Sequence, residues 1–114
     1  MQILRFDLDV SIPISDFGSN FAIGPLTGSD SRVRVQIMHL PPGGFIGRHP
    51  TSVKQLFPLV AGSGWVSGQD GKRRTLRAGY VALWEEGEDH DAGTDDGLTA
   101  VCIEGSFEVL ATGE

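Results

Sequence analysis

The chain has 114 residues, of which 39% are hydrophobic and 21% charged, a balance typical of one folded globular domain. Its formal net charge of -6, from 15 acidic and 9 basic residues, disfavours binding to phosphate backbones and to anionic lipid. Glycine, proline or charge interrupts every apolar run before it reaches the length of a membrane span, and the N-terminus lacks the pattern of a secretion signal. We therefore expect one domain over residues 1–114, located in the cytoplasm, with neither nucleic acid nor a membrane as partner.

Sixteen glycines and six prolines divide the chain into segments of strand length, which predicts an all-β domain without a helix. In chain order the predicted strands cover residues 2–6, 21–26, 32–40, 44–49, 55–62, 64–68, 73–78, 80–84, 90–94, 98–104 and 107–110. The dipeptide Asp70-Gly71 supplies the positive φ values of a tight hairpin and is expected to join the sixth of these strands to the seventh.

Side-chain alternation predicts which strand faces are buried. In "RVRVQIM" the apolar residues alternate with Arg34 and Gln36, which predicts one buried and one polar face. His39 has the apolar parity, so it lies either inside the barrel or, more simply, at the core or rim with a satisfied hydrogen bond. "YVALW" and "LTAVCIE" are apolar on both parities and should be covered on both sides. Cys102, in the second, is expected to be a small buried hydrophobe.

Two patterns that run from a glycine to a histidine follow one another in the second half of this strand series. The first contains Gly43, His49, Thr51, Gln55 and Gly62, and the second contains Gly79, Glu85, Gly87, His90 and Thr94. Together, in this order and separated by a hairpin, they resemble the two motifs of the cupin family, over roughly residues 32–110. The resemblance implies a cupin-type jelly-roll barrel.

In cupins, the histidines and the glutamate of these motifs bind a divalent metal inside the barrel. The resemblance therefore implies that His49, Gln55 and His90 bind a divalent ion such as zinc, iron, nickel or manganese. Thr51 replaces the second histidine and Gln55 replaces the glutamate, which removes one ligand and the negative charge, so we expect a weaker affinity. Thr51 could add a weak or water-mediated contact. Without a metal, His49 is an ordinary strand-end residue and Gln55 a buried amide that satisfies backbone groups.

Two further groups of residues have alternative interpretations. Seven acidic residues surround His90 in "EEGEDHDAGTDD", and they favour either a bound cation or simply a solvated turn. Aromatic side chains line a ligand pocket or, as the simpler interpretation, form the core. These aromatics are Phe45, Phe57, Trp65, Tyr80 and Trp84.

The sequence leaves the class of function open. The first hypothesis is a metal-dependent enzyme that acts on a small organic molecule by oxygenation, isomerisation or decarboxylation, with Glu88 or another acid moving protons. The alternative is a non-catalytic module that binds or senses a small molecule, and a third is a structural protein with a filled barrel. Family habit and open sheet edges favour a homodimer.

Overall fold

The computed structural model describes residues 8–25 and 32–109. Within these residues the chain forms nine strands and two short 3-10 turns, which confirms the all-β class. The strands are β1 Ile12–Ile14, β2 Phe21–Pro25, β3 Val33–Leu40, β4 Phe45–Pro50, β5 Gln55–Ser67, β6 Arg74–Arg77, β7 Val81–Trp84, β8 Asp89–Gly93 and β9 Leu98–Gly105. The predicted strand at 2–6 lies outside the described residues, and β1 and the turns Leu8–Val10 and Asp16–Gly18 had not been expected.

The strands form two antiparallel sheets that share the long strand β5. The first half of β5 pairs with β9 and β7, in a sheet with the order β1-β2-β3-β9-β5-β7. The second half pairs with β6 and β8, and β4 completes that sheet beside β8. Because one strand passes from sheet to sheet, the sheets curl around a common core, as expected for a jelly-roll barrel.

The two strands predicted at 55–62 and 64–68 are one continuous strand, which corrects the sequence-based boundary. The register against β9 shifts between Leu59 and Ala61, and Gly62 has a φ of 80°. A Cβ at Gly62 would overlap the carbonyl oxygen of Gly97 on the facing chain. The glycine therefore bends β5 at a bulge, where the sequence pattern had indicated a break.

A hairpin between β5 and β6 is confirmed, but its loop, between Ser67 and Arg74, is longer than the predicted tight turn, and of Asp70 and Gly71 only Gly71 has a positive φ. Gly71 has a φ of 72°, and its N–H donates to the carbonyl of Gly68 at 3.0 Å. The carboxylate of Asp70 accepts the N–H of Lys72 at 2.9 Å, so both residue types perform the role for which turns select them.

Both faces of β3 are covered, so the prediction of a polar face is wrong. Met38 and Leu40 belong to the hydrophobic core, and Gln36 shares their parity and is only 2% exposed. The amide of Gln36 is satisfied because it donates to Glu104 at 3.0 Å. His39 lies on the opposite face, with Thr99 Oγ1 3.5 Å from its Nδ1, so it is not directed towards the core.

β7 and β9 differ in burial although both are apolar on both parities. β9 buries Cys102 completely, and this burial raises the pKa of its thiol, as expected for an inert core residue. β7 leaves Val81 and Leu83 exposed by 36% and 41%, which corrects the expectation that both of its sides are covered. Among the described strands β7 pairs with β5 alone, so it lies at a sheet edge.

The strand predicted at 107–110 is absent from its described part. Residues 107–109 have no strand conformation, and residue 110 lies outside the described residues. Phe107 instead contacts Lys54, whose ammonium donates to the Phe107 carbonyl at 3.0 Å and lies 5.1 Å from its ring centroid.

The burial of two phenylalanines predicts that they contribute very differently to the free energy of unfolding. Phe57 is fully buried, whereas Phe45 is 40% exposed. Phe57→Ala should lower the free energy of unfolding by about 3–5 kcal/mol, because it removes buried apolar surface and leaves a cavity. Phe45→Ala is the matched control and should cost less than about 1.5 kcal/mol. Urea denaturation measures both, and equal losses would contradict this assignment of the core.

Candidate functional site

A bulge in β4 brings the two predicted histidine ligands together. The pairs Phe45↔Gly93 and Ile46↔Ala92 would, if continued, place Arg48 opposite His90. The register shifts by one residue before His49, so that His49 faces His90 instead. Their ring centroids lie 4.6 Å apart with the ring planes tilted by 56°. Two imidazoles that are separated by some forty positions in sequence thus form one pair.

Backbone carbonyls determine the tautomer of both rings. The Nδ1–H of His49 donates to the Gly47 carbonyl at 2.6 Å, and the Nδ1–H of His90 donates to the His49 carbonyl at 3.0 Å. Because a carbonyl oxygen can only accept, each Nδ1 carries the proton, and Nε2 of each neutral ring keeps its lone pair. Metal-binding histidines are oriented in the same manner, with the second nitrogen bonded to a backbone or carboxylate oxygen.

Burial keeps the inner ring neutral. His90 is 3% exposed, and its pKa falls from 6.5 to about 4, first because of desolvation and next because of the neighbouring His49. The bond to the His49 carbonyl and the charges of Asp91 and Glu88 oppose this shift without cancelling it. At neutral pH the ring therefore offers a lone pair.

Gln55 lies on the adjoining sheet, opposite Trp84. It opens β5, is 7% exposed and pairs with both Trp84 of β7 and Glu104 of β9. Directly opposed residues of paired strands share a face, and the ring of Trp84 contacts that of His90 with centroids 4.5 Å apart. The structure thus links Gln55 to the histidine pair through Trp84, while its role as a ligand stays a prediction.

Glu104 is a carboxylate near Gln55 that sequence reasoning missed. It accepts a hydrogen bond from the Gln36 amide at 3.0 Å and lies 3.6 Å from Arg34 Nε. Its position two residues after the buried Cys102 was the available signal, since both residues have the same strand parity. Pairing between β9 and β5 then places it opposite Gln55.

Thr51 fastens the acid-rich loop to β4. Its hydroxyl donates to the Glu85 carbonyl at 2.7 Å, its N–H donates to the Glu88 carbonyl at 2.9 Å, and its own carbonyl accepts the N–H of Gly87 at 2.9 Å. The residue that takes the place of the family's second histidine therefore has a structural task. A weak or water-mediated contact to a metal stays a prediction.

Two carboxylates of the acidic stretch, those of Glu88 and Asp91, have partners within the fold. Glu88 accepts the N–H groups of Glu85 at 3.0 Å and of Gln69 at 3.3 Å. Asp91, in β8, accepts the hydroxyl of Ser67 and lies 3.5 Å from Arg48. These contacts show that the two carboxylates stabilise the turn and the strand beside it, and a bound cation stays a prediction. Among residues 8–25 and 32–109 there is no group of three or more His, Cys, Asp or Glu side chains that could hold a metal ion.

Aromatic rings enclose the histidine pair from both sides. Phe17 stacks on His49 with centroids 4.1 Å apart and planes within 3°, and on the far side Trp84 contacts His90 and, at 5.7 Å, Phe57. We call Phe17, His49, His90, Trp84 and Phe57 the aromatic column. Phe17 was missed because "SDFGS" carries no pattern that connects it to a histidine thirty residues later.

The other aromatics lie away from the column. Phe45 and Tyr80 are 40% and 41% exposed, and Trp65 packs under the guanidinium of Arg73 at 3.6 Å. The core interpretation thus holds for Phe57 and Trp84, which are 0% and 3% exposed. Two surface cavities, of about 460 and 530 Å³, are lined by other residues, the first with His39 in its wall.

Solved structures of low sequence identity have the same fold. A predicted oxalate decarboxylase from Thermotoga maritima is 20% identical, with a TM-score of 0.72 over 88% of this chain and 96% of that chain. A Cupin 2 conserved barrel domain protein from Salinispora arenicola is 18% identical, with a TM-score of 0.72 over 93% and 89%. The Clostridium difficile EutQ protein is 9% identical, with a TM-score of 0.69 over 89% and 79%.

The sequence itself matches neither a protein-family model nor a curated protein. The structural likeness shows that the chain has the cupin fold, which confirms the expected jelly-roll barrel. The described residues include no helix that is long and apolar enough to cross a bilayer.

The buried neutral ring of His90 predicts a pH-dependent stability. Its folded-state pKa of about 4 lies below the ordinary 6.5, so the unfolded chain binds more protons between these values. The contribution of His90 to stability is complete above pH 6.5 and should be lost as the pH falls towards 4, by about 3 kcal/mol at most. Urea denaturation with chelator present measures this loss. His90→Gln should remove most of this slope and His39→Gln should keep it, and an unchanged slope in His90→Gln would contradict the assignment.

Proposed function

We propose that this chain is a metal-dependent enzyme that acts on a small organic molecule, with a divalent ion held by Nε2 of His49, Nε2 of His90 and the amide oxygen of Gln55. One observation carries the proposal. Two imidazoles are paired across β4 and β8, and each is fixed by a carbonyl in the tautomer that keeps Nε2 available. A histidine that only fills space in a core has no need of a neighbouring imidazole that is bonded through its own Nδ1 to a backbone carbonyl.

The donor set fits ions that accept imidazole nitrogen. Zinc, iron and nickel suit two neutral imidazoles with open positions, whereas manganese prefers oxygen ligands. Gln55 contributes a neutral oxygen, so the ion would keep its full charge in the first ligand set. The pKa of His90, lowered to about 4, favours binding, because no proton competes for Nε2 at neutral pH.

The chain's own residues then have defined tasks. A bound ion would polarise an oxygen of the substrate as a Lewis acid. Burial of His90 and Gln55 excludes water from their side of the site, and Gln55 also offers an N–H to a substrate oxygen. For proton transfer, Glu104 joins Glu88 as a candidate, because it lies opposite Gln55. Both carboxylates have partners: Glu104 contacts Gln36 and Arg34, and Glu88 accepts backbone N–H groups. Oxygenation, isomerisation and decarboxylation all remain compatible with this arrangement.

A second candidate function is non-catalytic binding or sensing of a small molecule in the barrel. The observation that favours it is the packing of Phe17 and Trp84 against the two imidazoles, since aromatic walls suit recognition of an apolar or planar ligand. Ligand binding that survives removal of metal, without turnover, would favour this candidate over the enzyme.

The proposal extends to assembly and location. We propose a homodimer contact at the β7 edge, because Val81 and Leu83 of β7 are exposed and this strand lacks a second partner among the described strands. The protein would act in the cytoplasm on a small molecule, without nucleic acid or membrane as partner, in keeping with its net charge of -6.

The ligand assignment predicts the effect of removing both imidazoles. The metal-free protein should take up one Co²⁺ or Zn²⁺ per chain in a calorimetric titration. The double variant His49→Ala, His90→Ala should lose this binding by at least about 100-fold, because two of three ligands are gone. His39→Ala, which lies outside the pair, should bind like the wild type. Negligible uptake by the wild type, or binding retained by the double variant, would contradict the proposal.

Gln55 provides a gain-of-affinity test. Gln55→Glu should tighten Co²⁺ binding by roughly tenfold or more, because it restores a negative charge beside the ion. Gln55→Leu keeps an uncharged side chain but should weaken binding, since it removes the oxygen ligand. The same titration compares them, and equal affinities for all three proteins would remove Gln55 from the ligand set.

A further inference from the structure

Phe17 has an unusual backbone conformation for an aromatic residue. Its φ and ψ are 59° and 26°, in the left-handed region, and it is the non-glycine residue with positive φ among the described residues. Its side chain is 63% exposed, so burial does not explain the conformation. The turn is closed by the N–H of Ser19, which donates to the Asp16 carbonyl at 3.0 Å. A left-handed phenylalanine at the surface indicates a constraint imposed by the neighbouring structure.

The constraint comes from the bulge of β4. The carbonyl of Phe17 lies against Gly47, where a Cβ would overlap it, so that position requires glycine. Ser19 Oγ accepts the N–H of Gly47 at 2.8 Å, in a buried hydrogen bond. The turn at residues 16–19 is therefore fastened to Gly47 by a hydrogen bond and by close backbone packing.

The same turn controls both contacts that orient His49. The ring of Phe17 lies parallel to the imidazole at 4.1 Å, which restrains its plane. Gly47, which the turn holds, supplies the carbonyl that accepts Nδ1–H at 2.6 Å and so determines which edge of the ring carries Nε2. The stacking contact with Phe17 fixes the plane of the imidazole, and the hydrogen bond to Gly47 fixes which side of the ring Nδ1 occupies. Together they define the direction of the Nε2 lone pair.

From this geometry we propose that Phe17 is a positioning residue: held in its left-handed turn by Gly47 and Ser19, it fixes the ring of His49 in the orientation in which Nε2 binds a ligand. This role rests on the proposed metal site and adds to it a residue outside both histidine motifs. Phe17 makes no contact with the reacting atoms and acts through His49.

The test uses the full chain with and without metal. At one fixed neutral pH, ¹⁵N-edited NMR of the histidine rings in chelator-treated protein reports the tautomer of His49 and the ring-current shift that Phe17 imposes on it. Phe17→Ala should abolish the ring-current shift and, because the unstacked imidazole is then free to turn away from the Gly47 carbonyl, mix the two tautomers of His49. Phe17→Tyr, which keeps a stacking ring, should preserve both signals. In a Co²⁺ titration Phe17→Ala should bind roughly tenfold more weakly, the scale expected for loss of a residue that orients a ligand.

Phe45→Ala is the matched control, since it also truncates a partly exposed phenylalanine, the first residue of β4. It should leave the His49 signals and the Co²⁺ affinity unchanged. An unaltered His49 tautomer in Phe17→Ala, or an equal change in Phe45→Ala, would overturn the proposal. Absence of Co²⁺ binding by the wild type would defeat the proposed function, whereas the NMR comparison in the metal-free protein would still decide the role of Phe17.

Discussion

The whole site depends on the one-residue bulge in β4 at Gly47. Without it, the register that starts at Phe45↔Gly93 would bring Arg48 opposite His90. A shift by one residue also reverses the face to which each following side chain points, so the bulge decides which side chain meets His90. Gly47 is suited to this place because the turn at residues 16–19 packs directly against it. The pairing of two imidazoles is thus a consequence of backbone geometry at a residue that has no side chain.

Burial has two opposite effects on this site: it keeps the His90 lone pair available, and it raises the cost of a bound charge. A buried imidazole loses the hydration that would stabilise its charged form, and this keeps His90 neutral and its lone pair free. The same low-polarity surroundings, made of Trp84, Phe57 and Phe17, would make an uncompensated divalent charge costly. Gln55 carries no charge to offset it, and Glu104, which lies opposite Gln55, is itself in contact with Gln36 and Arg34. Such a site would bind a divalent ion weakly and still hold its ligand side chains in a fixed geometry.

Some parts of the fold and site were predictable from local patterns. The hairpin that contains Asp70-Gly71 was predictable because a turn depends on the residues that form it, whereas the length of its loop was not predicted. The all-β class followed from segment lengths. The resemblance to the cupin motifs singled out His49 and His90, which the structure pairs, while their binding of a metal stays a prediction. Three features differ from the sequence-based prediction: both faces of β3 are covered, β7 has an exposed edge, and β5 continues through Gly62. In each case the outcome depends on which other strand lies alongside, and the alternation of residues within one strand contains no information about that.

The sequence by itself determined the strand-forming segments, the turn at Asp70-Gly71 and the two histidine-bearing motifs, because backbone propensity and turn chemistry act over a few neighbouring residues. Only the tertiary structure decided that His49 faces His90, that Glu104 lies opposite Gln55 and that Phe17 stacks on His49. These relations join residues that are between about thirty and fifty positions apart. They arise from strand register and from one bulge, and a change of a single residue in register would replace every one of the partners involved.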